Sequence, residues 1–202
     1  MKADELRKSA TDQELIEAAR AGDHTAFRYL VERYESVVAA TAIGMLGQGT
    51  EADDVGQETF IRLFKSLERF RGDAELKTYL TRIAINLSLD ALRKRKRNRF
   101  WFWSDEQEEA RLPVELSIDT SQDIDATERK EWVRRAIGAL DEKHRAVVVL
   151  RMIQGYSTAE TAEMLKIPAG TVLSRLSRAQ DKLRLLLKPF VNDLMENTVE
   201  PE

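Results

Sequence analysis

The sequence contains no cysteine. That absence excludes a disulfide framework, thiol catalysis and any cysteine-ligated zinc or iron–sulfur site. The two histidines, His24 and His144, are too few for a histidine-rich metal site. No apolar run approaches the ~20 residues that a membrane span needs. The opening MKADELRKSATDQE has charge but lacks the apolar core of a secretory signal. A cytoplasmic protein with no membrane insertion is expected. Strict apolar/polar alternation, the mark of half-buried strands, persists nowhere. Asp53, Asp54 and Glu58 could be imagined as metal ligands on one helix, but no histidine or second acidic cluster joins them. A charged binding or solvated face is the better reading of these three. No catalytic residue, metal or cofactor is expected, and the chain does not read as an enzyme.

What is present is a globular composition, 43% apolar and 33% charged over 202 residues. That length suits one large domain or two small ones. The net charge of −3 hides a block structure. Residues 1–99 carry 18 basic and 16 acidic groups, and residues 100–131 carry 3 and 10. Residues 141–188 turn basic again with 9 against 5, and residues 189–202 hold four acids and no base. Two mildly basic modules separated by an acidic segment, with an acidic tail, fit this pattern.

Apolar spacings of three and four dominate, which predicts an all-α protein. A first helix spans Asp12–Ala21 and closes at Gly22. Asp23 caps a second, which carries Phe27, Leu30, Val31, Tyr34, Val37, Val38 and Thr41 to about Met45. Thr50 and Asp53 resemble a capping box for a third helix to about Phe70, with Val55, Phe60, Leu63, Phe64 and Leu67 inside. Asp73 caps a fourth, with Leu76, Leu80, Ile83, Ala84, Leu87 and Ala91 inside, running into the basic stretch Arg93–Arg99. From Phe100 to about Thr127 the periodicity fails, and acids, Ser/Asp pairs and Pro113 read as a linker. Helicity resumes near Glu128 with Trp132, Val133, Ala136, Ile137 and Leu140. Asp141 caps the next helix, with Ala146, Val147, Leu150 and Met152 inside, and Gly155 stops it. Ser157 and Glu160 form a capping box for a short helix to Lys166. Pro168 opens a last helix that ends near Leu187, before Pro189.

The segment 157–187 has the strongest signature. A short capped helix, a tight Ile167-Pro168-Ala169-Gly170 connection and a longer helix form a helix-turn-helix. On the longer helix Val172, Leu176, Ala179, Leu183 and Leu186 make one buried stripe. Thr171, Ser174, Arg175, Arg178 and Lys182 lie on another face, suited to bases and phosphates in a major groove. Spacing alone leaves a basic solvated face of a bundle helix open. The run Arg93–Arg99 could grip phosphates at a helix C-terminus, or form a solvated helix end or a nuclear-import patch. Phe100-Trp101-Phe102-Trp103 is apolar surface that either packs back on the first module or is covered by a partner.

Taken in order, AGDHTAFRYLVERY, EADDVGQETFIRLFKSLERFRG, TYLTRIAINLSLDALRK, the acidic segment and ALDEKHRAVVVLRMIQGYSTAETAEMLKIPAGTVLSRLSRAQDKL resemble the bacterial sigma factors, in the short two-domain layout of the extracytoplasmic-function group. The resemblance covers about residues 12–187. It implies a promoter −10 and polymerase-binding module (1–99), an acidic flexible linker (100–127), a helix-turn-helix −35 module (128–188) and an acidic tail (189–202). It implies binding to core RNA polymerase, at the β′ clamp helices and the β subunit, with Asp54, Gln57 and Glu58 matching the family's Asp-x-x-Gln-Glu. Asn86 matches the position that lines a pocket for a flipped base, with Arg82, Arg93 and Lys94 beside it on the −10 DNA. Thr171, Ser174, Arg175, Arg178 and Lys182 would meet the −35 duplex. The resemblance also implies an anti-sigma factor, which would hold the protein near the membrane. Three residues depart from the pattern: Gly56 stands for an aliphatic residue, Tyr79 for a common Trp, and Leu173 for a frequent Arg or Lys. The competing readings are a stand-alone helix-turn-helix regulator and a helical signalling adaptor with a basic face.

Overall fold

The computed structural model describes residues 10–70, 72, 74–102 and 126–196. Among them the regular structure is entirely helical, as the spacing predicts. The helices are α1 (Asp12–Arg20), α2 (His24–Leu46), α3 (Thr50–Ser66), α4 (Leu76–Phe102), α5 (Ala126–Gly138), α6 (Glu142–Val148), α7 (Thr158–Leu165) and α8 (Ala169–Glu196). A 3-10 turn, Leu67–Arg69, follows α3, and a π-helical turn, Val149–Ile153, follows α6. The chain divides into two compact units, Met1–Ala91 and Leu92–Glu202, with the boundary inside α4.

In the first unit Leu15, Ile16, Leu30, Leu63, Leu67, Leu76 and Leu80 form one apolar core from α1–α4. Leu30, Leu63 and Leu80 are wholly inaccessible. Truncating any of them to Ala should cost about 2–5 kcal/mol through lost burial and an unfilled cavity. The hydroxyls buried in this core bond within their own helices. Thr59 Oγ1 donates to the Val55 carbonyl at 2.7 Å, and Ser88 Oγ to the Ala84 carbonyl at 2.8 Å. Arg20 donates to the Leu67 carbonyl at 2.8 Å and to the Phe70 carbonyl. It thereby ties α1 to the end of the 3-10 turn, where the Leu67 carbonyl also accepts from the Phe70 amide at 3.2 Å. Arg33 Nη1 donates to Asp12 Oδ1 at 2.6 Å, and the Tyr34 hydroxyl donates to Asp12 Oδ2. Burial first, then that bond, pushes the Tyr34 phenol well above the ordinary tyrosine range.

The second unit packs Ala136, Ile137, Leu140, Val148, Ala179 and Leu183 into a core shared by α5, α6 and α8. Here too an arginine closes a helix end. Arg145 donates to the Leu140 carbonyl at 2.9 Å and to the Gly138 carbonyl. Its guanidinium pKa is lowered, chiefly by burial.

Several caps stand where the sequence puts them. Asp23 accepts from the Thr25 and Ala26 amides, Asp141 from the Lys143 amide, and Ser157 and Glu160 cap α7 reciprocally. Other expectations need correction. Gly49, not Thr50, sits at the N-cap of α3, with no side-chain cap bond. Gly49 has φ +137°, a backbone that suits glycine and lets the chain leave the Gly47 turn before helix starts at Thr50. The third helix is α-helical only to Ser66 and finishes as the 3-10 turn. The fourth runs through Phe100 to Phe102, so helix replaces the first residues of the expected linker. The last helix does not stop at Pro189 but continues to Glu196. A proline removes one backbone bond and bends a helix without obliging it to end. Phe64, Val133 and Met152, expected inside, are exposed. For Met152 the cause is the π turn. The wider winding of Val149–Ile153 breaks the 3.6-residue register within the end of the buried run Ala146–Leu150, and Met152 and Ile153 come out exposed. In α4 the fully buried isoleucine is Ile85, while Ile83 is only half-buried. Asp73, Trp103 and the segment 103–125 lie outside the described residues, as do the side chains of Phe100–Phe102.

Candidate nucleic-acid and polymerase interfaces

Three surfaces carry the residues picked from the sequence. The first is on α3. Ala52, Val55, Thr59 and Leu63 turn inward. That packing leaves Asp54 and Gln57 exposed on the opposite side, with Glu58 half-buried beside them. Glu58 Oε1 accepts from Arg62 Nε at 3.0 Å, a surface pair worth well under about 1 kcal/mol. Ile61, 45% exposed, lies one turn beyond Gln57 and continues the same side with apolar area. Spacing alone does not bring Ile61 forward, because an isoleucine in a helix reads first as core. Phe64 is 48% exposed, and one of its edges meets the Phe27 ring at 5.1 Å between centroids. Gly56 lies among these residues in regular helix. A methyl group there would meet nothing within 4 Å.

The second surface surrounds the junction between α3 and α4. An open cleft of about 410 Å³ is lined by Ser66, Arg69, Phe70, Tyr79 and Arg82, with Gly72 and Ala74 at its rim. Phe70 and Tyr79 meet edge-on at 5.1 Å, and the Tyr79 hydroxyl donates to Ser66 Oγ at 2.9 Å. Two aromatic faces and two guanidinium groups in one concavity are chemistry that suits a flat, electron-rich base beside a phosphate. Asn86 is exposed on α4 one turn beyond Arg82, next to this cleft and not in its lining. Arg93 and Lys94 are exposed farther along the same helix. The structure thus adds Arg69 and Phe70 to the residues singled out from the sequence, and places Tyr79, noted there as a departure from the family pattern, in the same cleft. The signal missed was an aromatic pair flanking Gly72.

The third surface is α7 and α8, joined through Lys166, whose left-handed backbone (φ 52°) ends α7. Val172, Ala179 and Leu183 face inward, and Leu176 and Leu186 pack beside them. At 3.6 residues per turn the direction opposite this stripe falls between Ser174 and Ser177. The outward side of the early part of α8 is therefore Gly170, Ser174 and Ser177, with Leu173 on one shoulder and Arg178 on the other, all exposed. Thr171 and Arg175 are half-buried on its flank, and Lys182 is exposed one turn beyond Arg178. Ser174 Oγ donates to the Thr171 carbonyl at 3.1 Å. Of the five residues expected on this helix, the structure puts Ser174 at the centre, Arg178 on the shoulder beside it, and Thr171, Arg175 and Lys182 at the side. It adds Ser177, and it leaves Leu173, already marked as a departure from the family pattern, exposed beside them.

Residues 30–98 match the family model for Sigma-70 region 2, and residues 130–183 match that for Sigma-70 region 4. The chain belongs to the extracytoplasmic-function sigma factors of RNA polymerase. It is 31% identical over 190 residues to the sigma-E factors of Salmonella typhimurium LT2 and Escherichia coli K12, covering 92% of this chain and 99% of each relative. The sigma-E factor of Haemophilus influenzae shows the same identity. Among solved structures, CnrH in complex with the cytosolic domain of CnrY is 28% identical with a TM-score of 0.61, covering 88% of this chain and 97% of CnrH. The sigma factor RpoE of Bartonella quintana, in complex with the anti-sigma factor NepR, is 26% identical with a TM-score of 0.60, covering 80% and 96%. As a member of this family the chain directs promoter-specific initiation of transcription by RNA polymerase. A stand-alone helix-turn-helix regulator would account for the region 4 match but not for the region 2 match. Among the described residues no helix is long and apolar enough to cross a membrane.

Proposed function

We propose that the three surfaces divide the work of initiation among them. The exposed side of α3, with Asp54, Gln57 and Glu58 at its centre and Ile61 at its edge, docks on the β′ clamp helices of core polymerase. The cleft of Phe70, Tyr79 and Arg82, with Asn86 at its margin, receives an unstacked base of the −10 element. Asn86 offers both a donor and an acceptor to a base edge. Arg93 and Lys94 hold the adjacent phosphates. The outer face of α8 enters the major groove of the −35 duplex, while Thr171, Arg175 and Lys182 fasten its flank to the backbone. The acidic linker (100–127) threads the polymerase cleft, where its charge stands in for nucleic acid, and the −35 module (128–188) meets the β subunit. The protein works by binding energy alone, in the cytoplasm, with no bond made or broken. An anti-sigma factor, of the kind that holds the Bartonella relative, would cover these surfaces until induction.

The observation that carries this reading is the pairing of region 2 and region 4 matches with Asp54, Gln57, Asn86, Ser174 and Arg178 exposed inside the matched segments. Run-off transcription with core polymerase on a library of genomic fragments tests it. Start sites sharing −35 and −10 elements are expected. Reversing charge at both Asp54 and Glu58 should abolish that signal and lower polymerase affinity at least tenfold, with unchanged helicity by circular dichroism. Wild-type affinity in the double variant would refute the docking face.

A further inference from the structure

Leu173 is 55% exposed on one shoulder of the outward side of α8, one turn past the helix start. The core below is complete without it, since Val172, Leu176, Ala179 and Leu183 fill the inner stripe. A single exposed leucine is by itself unremarkable, and Leu185, 72% exposed, is another on the same helix. Position separates the two. Leu185 lies more than three turns beyond Leu173, whereas helices that enter a major groove touch bases with their first turns. On its outward side the neighbours of Leu173 are Gly170 and Ser177, one turn before and one turn after it, both too small to overhang it. Gly170 has no left-handed backbone to require glycine, and a methyl group there would meet nothing within 4 Å. Neither conformation nor packing accounts for the smallest residue at that point. Its effect is to leave open room beside the leucine for a close approach from outside.

We propose that Leu173 is a specificity determinant that selects one thymine of the −35 duplex by apolar contact with its 5-methyl group. The proposal rests on the reading of α8 as the −35 helix. In the major groove guanine, adenine and cytosine present only polar groups, and thymine alone adds a methyl. A leucine offers no donor or acceptor. Pressed on a guanine or cytosine edge it would desolvate polar atoms without pairing them, which disfavours those bases. Over thymine it removes two apolar surfaces from water together. Ser174 and Arg178 lie farther round the same outward side, placed to bond the neighbouring bases.

The test uses holoenzyme reconstituted from the full chain and core polymerase, with wild type and Leu173→Ala in parallel. Promoters with a fixed −10 element and randomised −35 duplex are selected for binding. Each thymine of the selected −35 site is then replaced by deoxyuridine, which deletes the methyl and nothing else. One replacement is expected to weaken wild-type binding by about fourfold, the worth of one methyl removed from water. The same replacement should leave Leu173→Ala unchanged, and that variant should have lost its preference for thymine at this position. A selected site that tolerates deoxyuridine everywhere, or that loses equally with the alanine variant, overturns the role of Leu173 alone. Failure of the wild type to select any −35 sequence overturns the −35 reading of α8 and the role of Leu173 with it. Equal melting temperatures for the two proteins exclude a folding cause.

Discussion

Arg178 and Arg175 share a helix and a chemistry but not an environment. Arg178 stands on the outer face of α8, and Arg175 is half-buried at its flank. An arginine on the groove-facing side can bond a base edge bidentately, a contact worth about 1–3 kcal/mol of discrimination. One at the flank reaches phosphate and carries no sequence information. Arg178→Ala should therefore relax base preference at one −35 position, whereas Arg175→Ala should weaken all promoters alike and flatten the salt dependence. Binding competitions over single-base −35 variants at two salt concentrations separate the two. The distinction was not legible in spacing, which finds the buried stripe and assigns everything polar to one opposite face. The burial pattern separates them: Ser174, Ser177 and Arg178 are exposed, while Thr171 and Arg175 are half-buried. Gly56 gives a second residue-scale case. It lies mid-helix with free space around it, so Gly56→Ala should stabilise the first unit by about 1 kcal/mol through reduced backbone entropy in the unfolded chain. Thermal melting would show this as a rise of several degrees, and a fall would mean the position is tighter than its surroundings indicate.

Among the elements, those with a side-chain cap were readable and those without were not. Asp23, Asp141 and the Ser157/Glu160 box each mark a start, because the bond between side chain and backbone amide is local in sequence. Gly49 caps with backbone alone, and Thr50 beside it imitates a cap. The π turn was invisible for another reason: residues 146–150 are all apolar and all buried, so a change of winding leaves no gap in the pattern. The attachment of α1 to α2 through Asp12, Arg33 and Tyr34 is likewise long-range and absent from any local signal. It makes a prediction about pH. Because the phenol's folded-state pKa is raised, first by burial and then by Asp12, folding favours its protonated form. That contribution is whole below the unfolded tyrosine value of about 10 and is lost as pH rises from there through the folded value. Urea unfolding of wild type and Tyr34→Phe from pH 8 to 11 should show the wild type losing its advantage only above about pH 10. An advantage that is constant across the range would mean that neither burial nor Asp12 raises the phenol's pKa.

For the whole molecule, the order of events matters more than any one surface. Opening a promoter requires that duplex binding come first and base capture second, and the two regions 2 and 4 present different chemistry for these steps. The outer face of α8 offers hydroxyls, an arginine and a leucine, suited to base edges in an intact groove. The cleft between α3 and α4 offers the faces of Phe70 and Tyr79, which a base can use only after leaving its stack. Asn86 stands at the margin of that cleft, exposed and one turn from Arg82. Its substitution should therefore leave the first step alone and damage the second. Extruding a base costs a few kcal/mol, and the pocket must return that through stacking and edge bonds. Losing one edge contact of about 1–3 kcal/mol should reduce the open complex roughly tenfold at equilibrium. Footprinting in the cold reads the closed complex, which Asn86→Ala should form like wild type. Permanganate reactivity at the −10 thymines reads the open complex, which the variant should form poorly. A promoter mismatched at −10 removes the cost of unpairing but still needs its base held. If the mismatch restores Asn86→Ala fully, the residue acts in unpairing; a remaining deficit of several-fold places it in capture. Normal transcription by Asn86→Ala from an intact duplex would remove it from both steps and leave the aromatic cleft to hold the base without it.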